Sequence, residues 1–379
     1  MAGHQGRQLT VVAAADLSPS DVQGALDGDR PLAVLPDGPT AVVDAALRAL
    51  GPGEPLEEGA DRVVVTSGAT GGARAALLSA EAVRASAVAA VDRLGGPGSW
   101  VLALPLSAIA GLQVYCRSLL AGGPPVSLAP DEPLADAVSR LPAAPRRYTS
   151  LVPTQLRRFL AAEPDALRSF DAILVGGAAT DPALLTQARE LGVPVVITYG
   201  MTETAGGCVY DGRPLDGVGI RVTDDGVQLS GPTLASGYRL DAPATAAAFT
   251  EGWFRTRDAG YLSEEGRLTV TGRLDDVLVT GGANVAPSAV EAVLRDHPDV
   301  EDAVVFGRPD DEWGQRVVAA VVPTPGYRPD LAELRPWVTE RLGAPAAPKE
   351  LHLLVQLPLL HTGKPDRRAV ADAVRRGAR

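Results

Sequence analysis

At 379 residues the chain is long enough for two or three domains and a large core. It is 46% hydrophobic, yet no uninterrupted apolar run reaches a membrane span, and no basic flank and apolar core open the chain, so neither a span nor a signal peptide is expected. The net charge of −11 speaks against a nucleic-acid binder.

Residues 21–26 and 40–50 read as helices, the second with Val43, Ala46, Leu47 and Leu50 at helical spacing. A Pro/Glu-rich connection, 51–60, follows. Arg62-Val63-Val64-Val65 reads as a buried strand that runs into Thr66-Ser67-Gly68-Ala69-Thr70-Gly71-Gly72-Ala73-Arg74. Glycines let such a backbone turn tightly and offer N–H groups to an anion, hydroxyls add donors, and Arg74 adds charge. The stretch is either a phosphate-binding loop or a plain strand–turn–helix connection into a helix over 80–94. It lacks the Gly-Lys-Ser/Thr ending of a Walker loop.

Residues 100–106 read as a strand and 109–120 as an apolar helix carrying Gln113 and Arg117. Those two polar groups either snorkel and cap, or touch a ligand. Cys116 in that helix and Cys208 later offer neither a disulfide framework nor a metal spacing, which suits a reducing cytoplasm. Strands follow over 124–128 and 148–152, then a helix over 153–162 with Pro near its start. The strand 171–175 ends in Gly176-Gly177-Ala178, either an ordinary turn or a place where a flat ring approaches the backbone.

A strand over 193–197 then delivers Thr198, Tyr199, Gly200, Met201, Thr202, Glu203 and Thr204 as a polar loop at its C-terminal tip. Open α/β sheets bind ligands at such tips. An aromatic face, hydroxyls and one carboxylate there can stack a base, bind a phosphate oxygen and hold Mg²⁺; a merely solvated loop is the alternative.

Alternating strands and helices up to residue 200 indicate a parallel or mixed sheet. Residues 219–238 are short, Gly-punctuated β segments, as in a small barrel or meander. Asp258 is either a ribose acceptor or a turn residue. The strand 266–272 ends at Gly272-Arg273-Leu274-Asp275-Asp276, a turn-forming string suited to a hinge. A second domain follows, with helices over 287–295 and 331–342 and strands over 300–307, 316–323 and 351–355. Near the end stands His361-Thr362-Gly363-Lys364. Only Lys349 and Lys364 are lysines among 35 basic residues, so a lysine here signals a need for a compact ammonium. With only His4, His297, His352 and His361, a His-based triad or zinc site is not expected.

From residue 62 onward these stretches, in this order, resemble the ANL adenylating superfamily. Ala110-Gly111-Leu112-Gln113, Thr149–Leu156 and Gly206–Gly212 further resemble the compact actinobacterial form of its o-succinylbenzoate–CoA ligase family, of the menaquinone pathway. The resemblance implies an α/β fold: a large N-terminal domain, 1–273, of parallel or mixed sheets with helices and a small barrel-like part. A small C-terminal α+β lid, 274–379, would follow and turn about Asp275. It also implies acyl-CoA synthesis from a small carboxylic acid, ATP and CoA, with Mg²⁺; a homodimer is compatible with it.

In that reading Thr66, Ser67, Gly68, Thr70, Gly71, Arg74 and Thr202 hold phosphates and Glu203 holds Mg²⁺. Gly176, Gly177, Ala178, Tyr199 and Gly200 surround the adenine, Tyr199 by stacking. Asp258 and Arg273 bind the ribose, and Lys364 neutralises charge during adenylation. Ser107, Ala108, Gln113 and Arg117 face the acid. Ala69 replaces a usual hydroxyl, Arg74 a usual lysine, and Ser107-Ala108 an expected aromatic or His. These departures keep two alternatives in view: a related ligase for another aryl or acyl acid, and a non-adenylating transferase or binding protein.

Overall fold

A computed structural model describes residues 7–67, 73–359 and 365–377. Among them, a seven-stranded sheet runs in the order Arg213–Pro214, Gly206–Tyr210, Val195–Met201, Ala172–Val175, Arg147–Leu151, Ser99–Leu102, Val126–Ser127. The last five strands are parallel; the first two are antiparallel additions. Side chains alternate between two cores. Trp100, Tyr148 and Leu174 point one way, and Val101, Leu151 and Ile173 the other. Both faces are covered, so a central strand such as Ala172–Val175 is a continuous apolar run, whereas Arg147–Leu151 keeps Thr149 and Ser150 among its buried residues.

On one face the helices Ala80–Arg93 and Ile109–Leu120 are packed between this sheet and a second one. The second sheet has the order Thr10–Ala13, Leu32–Leu35, Arg62–Ser67, Ala73–Leu78, Gly237–Tyr238. The other face is covered by the helices Pro153–Ala162 and Pro182–Glu190 through Leu156, Phe159 and Leu184. A four-stranded antiparallel sheet, in the order Gly219–Thr223, Gly226–Ser230, Trp253–Arg255, Phe249–Thr250, and the hairpin Asp258–Leu262/Leu268–Arg273 follow.

Beyond Arg273, the strands Leu278–Thr280, Ala283–Val285, Val300–Asp310, Gly314–Pro323 and Glu350–Leu353 form another sheet. The helices Pro287–Arg295, Leu331–Leu342 and Arg367–Gly377 pack on it. None of the buried clusters among the described residues mixes residues up to 268 with residues from 278 onward. No helix among the described residues is long and apolar enough to cross a membrane.

The helices expected over 40–50, 109–120, 153–162, 287–295 and 331–342 have those limits. Four expectations need correction. The strand–turn–helix reading around residue 70 is wrong, because Arg62–Ser67 folds back on the antiparallel strand Ala73–Leu78 before the helix starts. Ala75 and Ala76 are weak strand formers, but burial of Ala75 and Leu77 in one core and of Ala76 and Leu78 in the other overrides propensity. The strand over 193–197 continues to Met201, because Gly206–Tyr210 turns back and pairs with it. The strand over 100–106 stops at Leu102, ahead of Pro105, and that over 124–128 shrinks to Val126–Ser127.

Candidate active site

A cavity of about 1000 Å³ opens at the C-terminal ends of the parallel strands, where such sheets place ligands. Thr66, Arg74, Thr202, Glu203 and Tyr238 line one part of it. The Arg74 guanidinium lies 5.4 Å from the centre of the Tyr238 ring, and its Nε is 3.8 Å from Asp241. The Tyr238 hydroxyl donates to Glu203 Oε1 at 2.8 Å. Burial pushes the Glu203 carboxyl above the usual carboxylate range, against the opposing pull of Tyr238, Arg273 and Arg74. Gly68, Thr70, Gly71 and Lys364 lie outside the described residues, as does the side chain of Ser67. Pro365, the residue after Lys364, lines the cavity.

The loop that presents Thr202 and Glu203 is one turn of 3₁₀-helix, Thr202–Thr204, with Met201 N–H donating to Thr204 Oγ1 at 2.9 Å. It ends at Ala205 with φ of 50°, a left-handed conformation uncommon for a residue with a Cβ. Two side chains hold it there. Gln113 Nε2 and the Ser86 hydroxyl donate to the Ala205 carbonyl at 2.8 and 2.9 Å. Gln113 also reaches the Val83 carbonyl at 3.2 Å. Gln113 is therefore chiefly a strut for the loop, although it touches the cavity. Ser86 carries no sequence signal, being an ordinary small residue inside a helix.

Gly176, Gly177, Thr198 and Gly200 line the cavity, whereas Ala178 is exposed and is not among the lining residues. Gly176 has a packing reason to lack a side chain: a Cβ there would lie 2.3 Å from Thr198 Oγ1. Tyr199 is not free at the cavity wall. Its ring packs against the core and its hydroxyl donates to Asp258 Oδ2 at 2.7 Å. Burial drives the Tyr199 phenol upward, and Asp258 adds to the shift. Burial raises the Asp258 carboxyl too, opposed by the Tyr199 hydrogen bond and the Arg273 charge. Arg273 lines the cavity, lies 3.5 Å from Asp258, and grips Asp275 through two hydrogen bonds of 3.0 and 3.2 Å. Asp275 also faces Arg257 at 3.4 Å. Despite the opposing effect of burial, Arg273 holds the Asp275 carboxyl below its ordinary range.

The cavity is also lined by Leu104, Pro105, Ala108, Ile109, Gln113 and Arg117. Ser107 is buried and is not among the lining residues. Arg117 is 3% exposed, with its guanidinium 5.4 Å from the centre of the Trp100 ring. Its Nε is buried without a partner, and no carboxylate among the described residues pairs with it. Breaking a buried ion pair typically costs 3–5 kcal/mol, roughly, because a charge is left uncompensated. An unpaired buried guanidinium on a cavity wall therefore favours an anion in the cavity.

No group of three or more His, Cys, Asp or Glu that would hold a metal occurs among the described residues. The Glu203 carboxylate on the cavity wall fits Mg²⁺ all the same, since that ion is commonly held by one or two carboxylates, substrate phosphates and water.

Residues 28–238 match the AMP-binding enzyme family, and residues 289–364 match the AMP-binding enzyme C-terminal domain. A probable 2-succinylbenzoate–CoA ligase of Mycobacterium tuberculosis is 48% identical over 339 residues, 86% of this chain and 88% of that protein. A 2-succinylbenzoate–CoA ligase of Listeria monocytogenes is 32% identical over 82% of this chain and 69% of its own length. Among solved structures, o-succinylbenzoate CoA synthetase of Bacillus subtilis in complex with its acyl-adenylate intermediate superposes with a TM-score of 0.76, at 26% identity, over 96% of this chain and 88% of that one. The same Bacillus subtilis enzyme with ATP and magnesium ion gives a TM-score of 0.75 at 27% identity, covering 96% and 84%. The chain has the expected α/β adenylate-forming fold and belongs to the AMP-binding enzyme family.

Proposed function

We propose that the protein is an ATP-dependent acid–thiol ligase that converts 2-succinylbenzoate and CoA to the acyl-CoA, with AMP and diphosphate as the other products. The observation that carries the substrate is Arg117, a buried guanidinium on the cavity wall without an acidic partner among the described residues. 2-Succinylbenzoate has two carboxylates. One is activated, and the second is the anion that Arg117 lacks. The Mycobacterium tuberculosis relative supports the same substrate.

In the first half-reaction a carboxylate oxygen attacks the α-phosphorus of ATP and diphosphate leaves. In the second the CoA thiolate attacks the acyl carbon and AMP leaves with the former carboxylate oxygen. No covalent bond to the protein is needed, so its work is orientation and charge stabilisation. Thr66, Arg74 and Thr202 are candidate phosphate ligands on the cavity wall, joined by Ser67, Gly68, Thr70 and Gly71. Glu203 would hold Mg²⁺, which supplies positive charge against the phosphates. Asp258, through its link to Arg273, is the candidate ribose acceptor. Lys364 would bridge the attacking carboxylate and the α-phosphate. The chain would work as two units, 1–273 and 274–379, turning about Asp275 between half-reactions. The separate matches of residues 28–238 and 289–364 support that division.

We assign the reaction to the cytoplasm, where ATP and CoA are supplied; the two buried free cysteines suit that compartment. A homodimer is compatible with this reading, and light scattering tests it. A ligase for a monocarboxylic aryl acid is the second reading, since an indoleacetate–CoA ligase of Aromatoleum aromaticum is 32% identical over 83% of this chain. Arg117 favours the dicarboxylate. Diphosphate release measured across a panel of mono- and dicarboxylic aryl acids tests the proposal. Preference for monoacids, or no release with any acid, overturns it.

A further inference from the structure

Tyr210 ends the strand Gly206–Tyr210 and lines the same cavity as Arg117. It is 2% exposed, and its hydroxyl is buried without a hydrogen-bond partner among the described residues. An enclosed hydroxyl left unpaired is costly, and tyrosines usually find a partner when buried. The two residues come from different elements that contact each other, Arg117 from the helix Ile109–Leu120 and Tyr210 from the strand Gly206–Tyr210. Both are donors to an anion, and neither has an acceptor among the described residues. Gln113 Oε1 is also unpartnered, but an acceptor does not bind a carboxylate and is left to a donor such as water.

We propose that Tyr210 is a specificity-determining residue whose hydroxyl donates the second hydrogen bond, beside Arg117, to the substrate carboxylate that is not activated. This rests on the dicarboxylate reading above. A guanidinium alone attracts an anion from many directions. A phenol from a second element gives the carboxylate two donors and thereby sets the orientation of the acyl chain. The class of acid selected is an aryl keto acid with an anionic group on the ring.

The test compares 2-succinylbenzoate with 4-oxo-4-phenylbutanoate, which lacks only the ring carboxylate. Tyr210→Phe should lower the ratio of kcat/KM for diacid over monoacid by about 10- to 100-fold, the range for a hydrogen bond to a charged group. It should also shrink the rise in melting temperature that 2-succinylbenzoate gives the protein. Phe removes only an unpartnered hydroxyl, so folding is retained. An unchanged ratio, with an unchanged thermal response, overturns the role of Tyr210. Arg117→Leu is measured alongside. If it lowers the ratio and Tyr210→Phe does not, Tyr210 alone is excluded. If neither variant lowers it, the dicarboxylate reading itself has failed.

Discussion

The Tyr199 hydroxyl lies 2.7 Å from Asp258 Oδ2, joining the central strand to the hairpin 59 residues further along the chain. Tyr199→Phe leaves the buried Asp258 carboxylate with one donor fewer. A hydrogen bond to a charged group contributes roughly 1.5–3 kcal/mol, so the variant should lose stability on that scale in urea unfolding. A loss below about 0.5 kcal/mol, the ordinary scatter for surface substitutions, would show the contact to be weak.

Asp258 also predicts a pH dependence. Its folded pKa is raised by burial above the ordinary 3.8. Between 3.8 and the raised value, folding takes up a proton, so its favourable contribution is complete below 3.8 and is lost as pH rises through the folded pKa. Asp258→Asn keeps an oxygen for Tyr199 and removes the titration. The variant should lose less stability than the wild type between pH 3.5 and pH 7, roughly the span around an aspartate pKa, in parallel thermal melts. Parallel pH profiles would rule Asp258 out as the source.

Glu203 offers the one carboxylate on the central loop. Glu203→Gln keeps the acceptor for Tyr238 but removes the charge that suits Mg²⁺. The Mg²⁺ concentration for half-maximal diphosphate release should rise at least tenfold, roughly the low end for losing a charged hydrogen-bond partner. Circular dichroism should remain that of the wild type. An unaltered Mg²⁺ dependence takes Glu203 out of the site.

Lys364 is expected to serve adenylation alone. Lys364→Ala should slow acyl-adenylate formation by roughly 10²–10³, the scale for one preorganised electrostatic donor. Given synthetic acyl-adenylate and CoA, the variant should still form thioester. Equal loss in both half-reactions would sink the two-orientation reading, and so would undiminished adenylation.

Much of this protein was legible from sequence because its signals are local. Apolar spacing delimits the helix Ile109–Leu120, and two-sided burial makes strands such as Ala172–Val175 continuous apolar runs. The motif order around Thr66, Tyr199, Glu203, Asp258 and Lys364 pointed to the family, since each motif is a short stretch whose residue types suit one chemistry. What the tertiary structure decided depends on partners remote along the chain. Ala73–Leu78 is a strand only because two cores bury its alternate faces. The central strand extends to Met201 only because Gly206–Tyr210 returns beside it. Ser86 and Gln113 grip the Ala205 carbonyl across separations of 119 and 92 residues. Tyr199 is held by Asp258, and Arg117 lacks an acid among the described residues; pattern and propensity encode neither. Composition and periodicity report which faces are buried, whereas pairing and charge compensation depend on which atoms the completed fold brings within hydrogen-bonding distance.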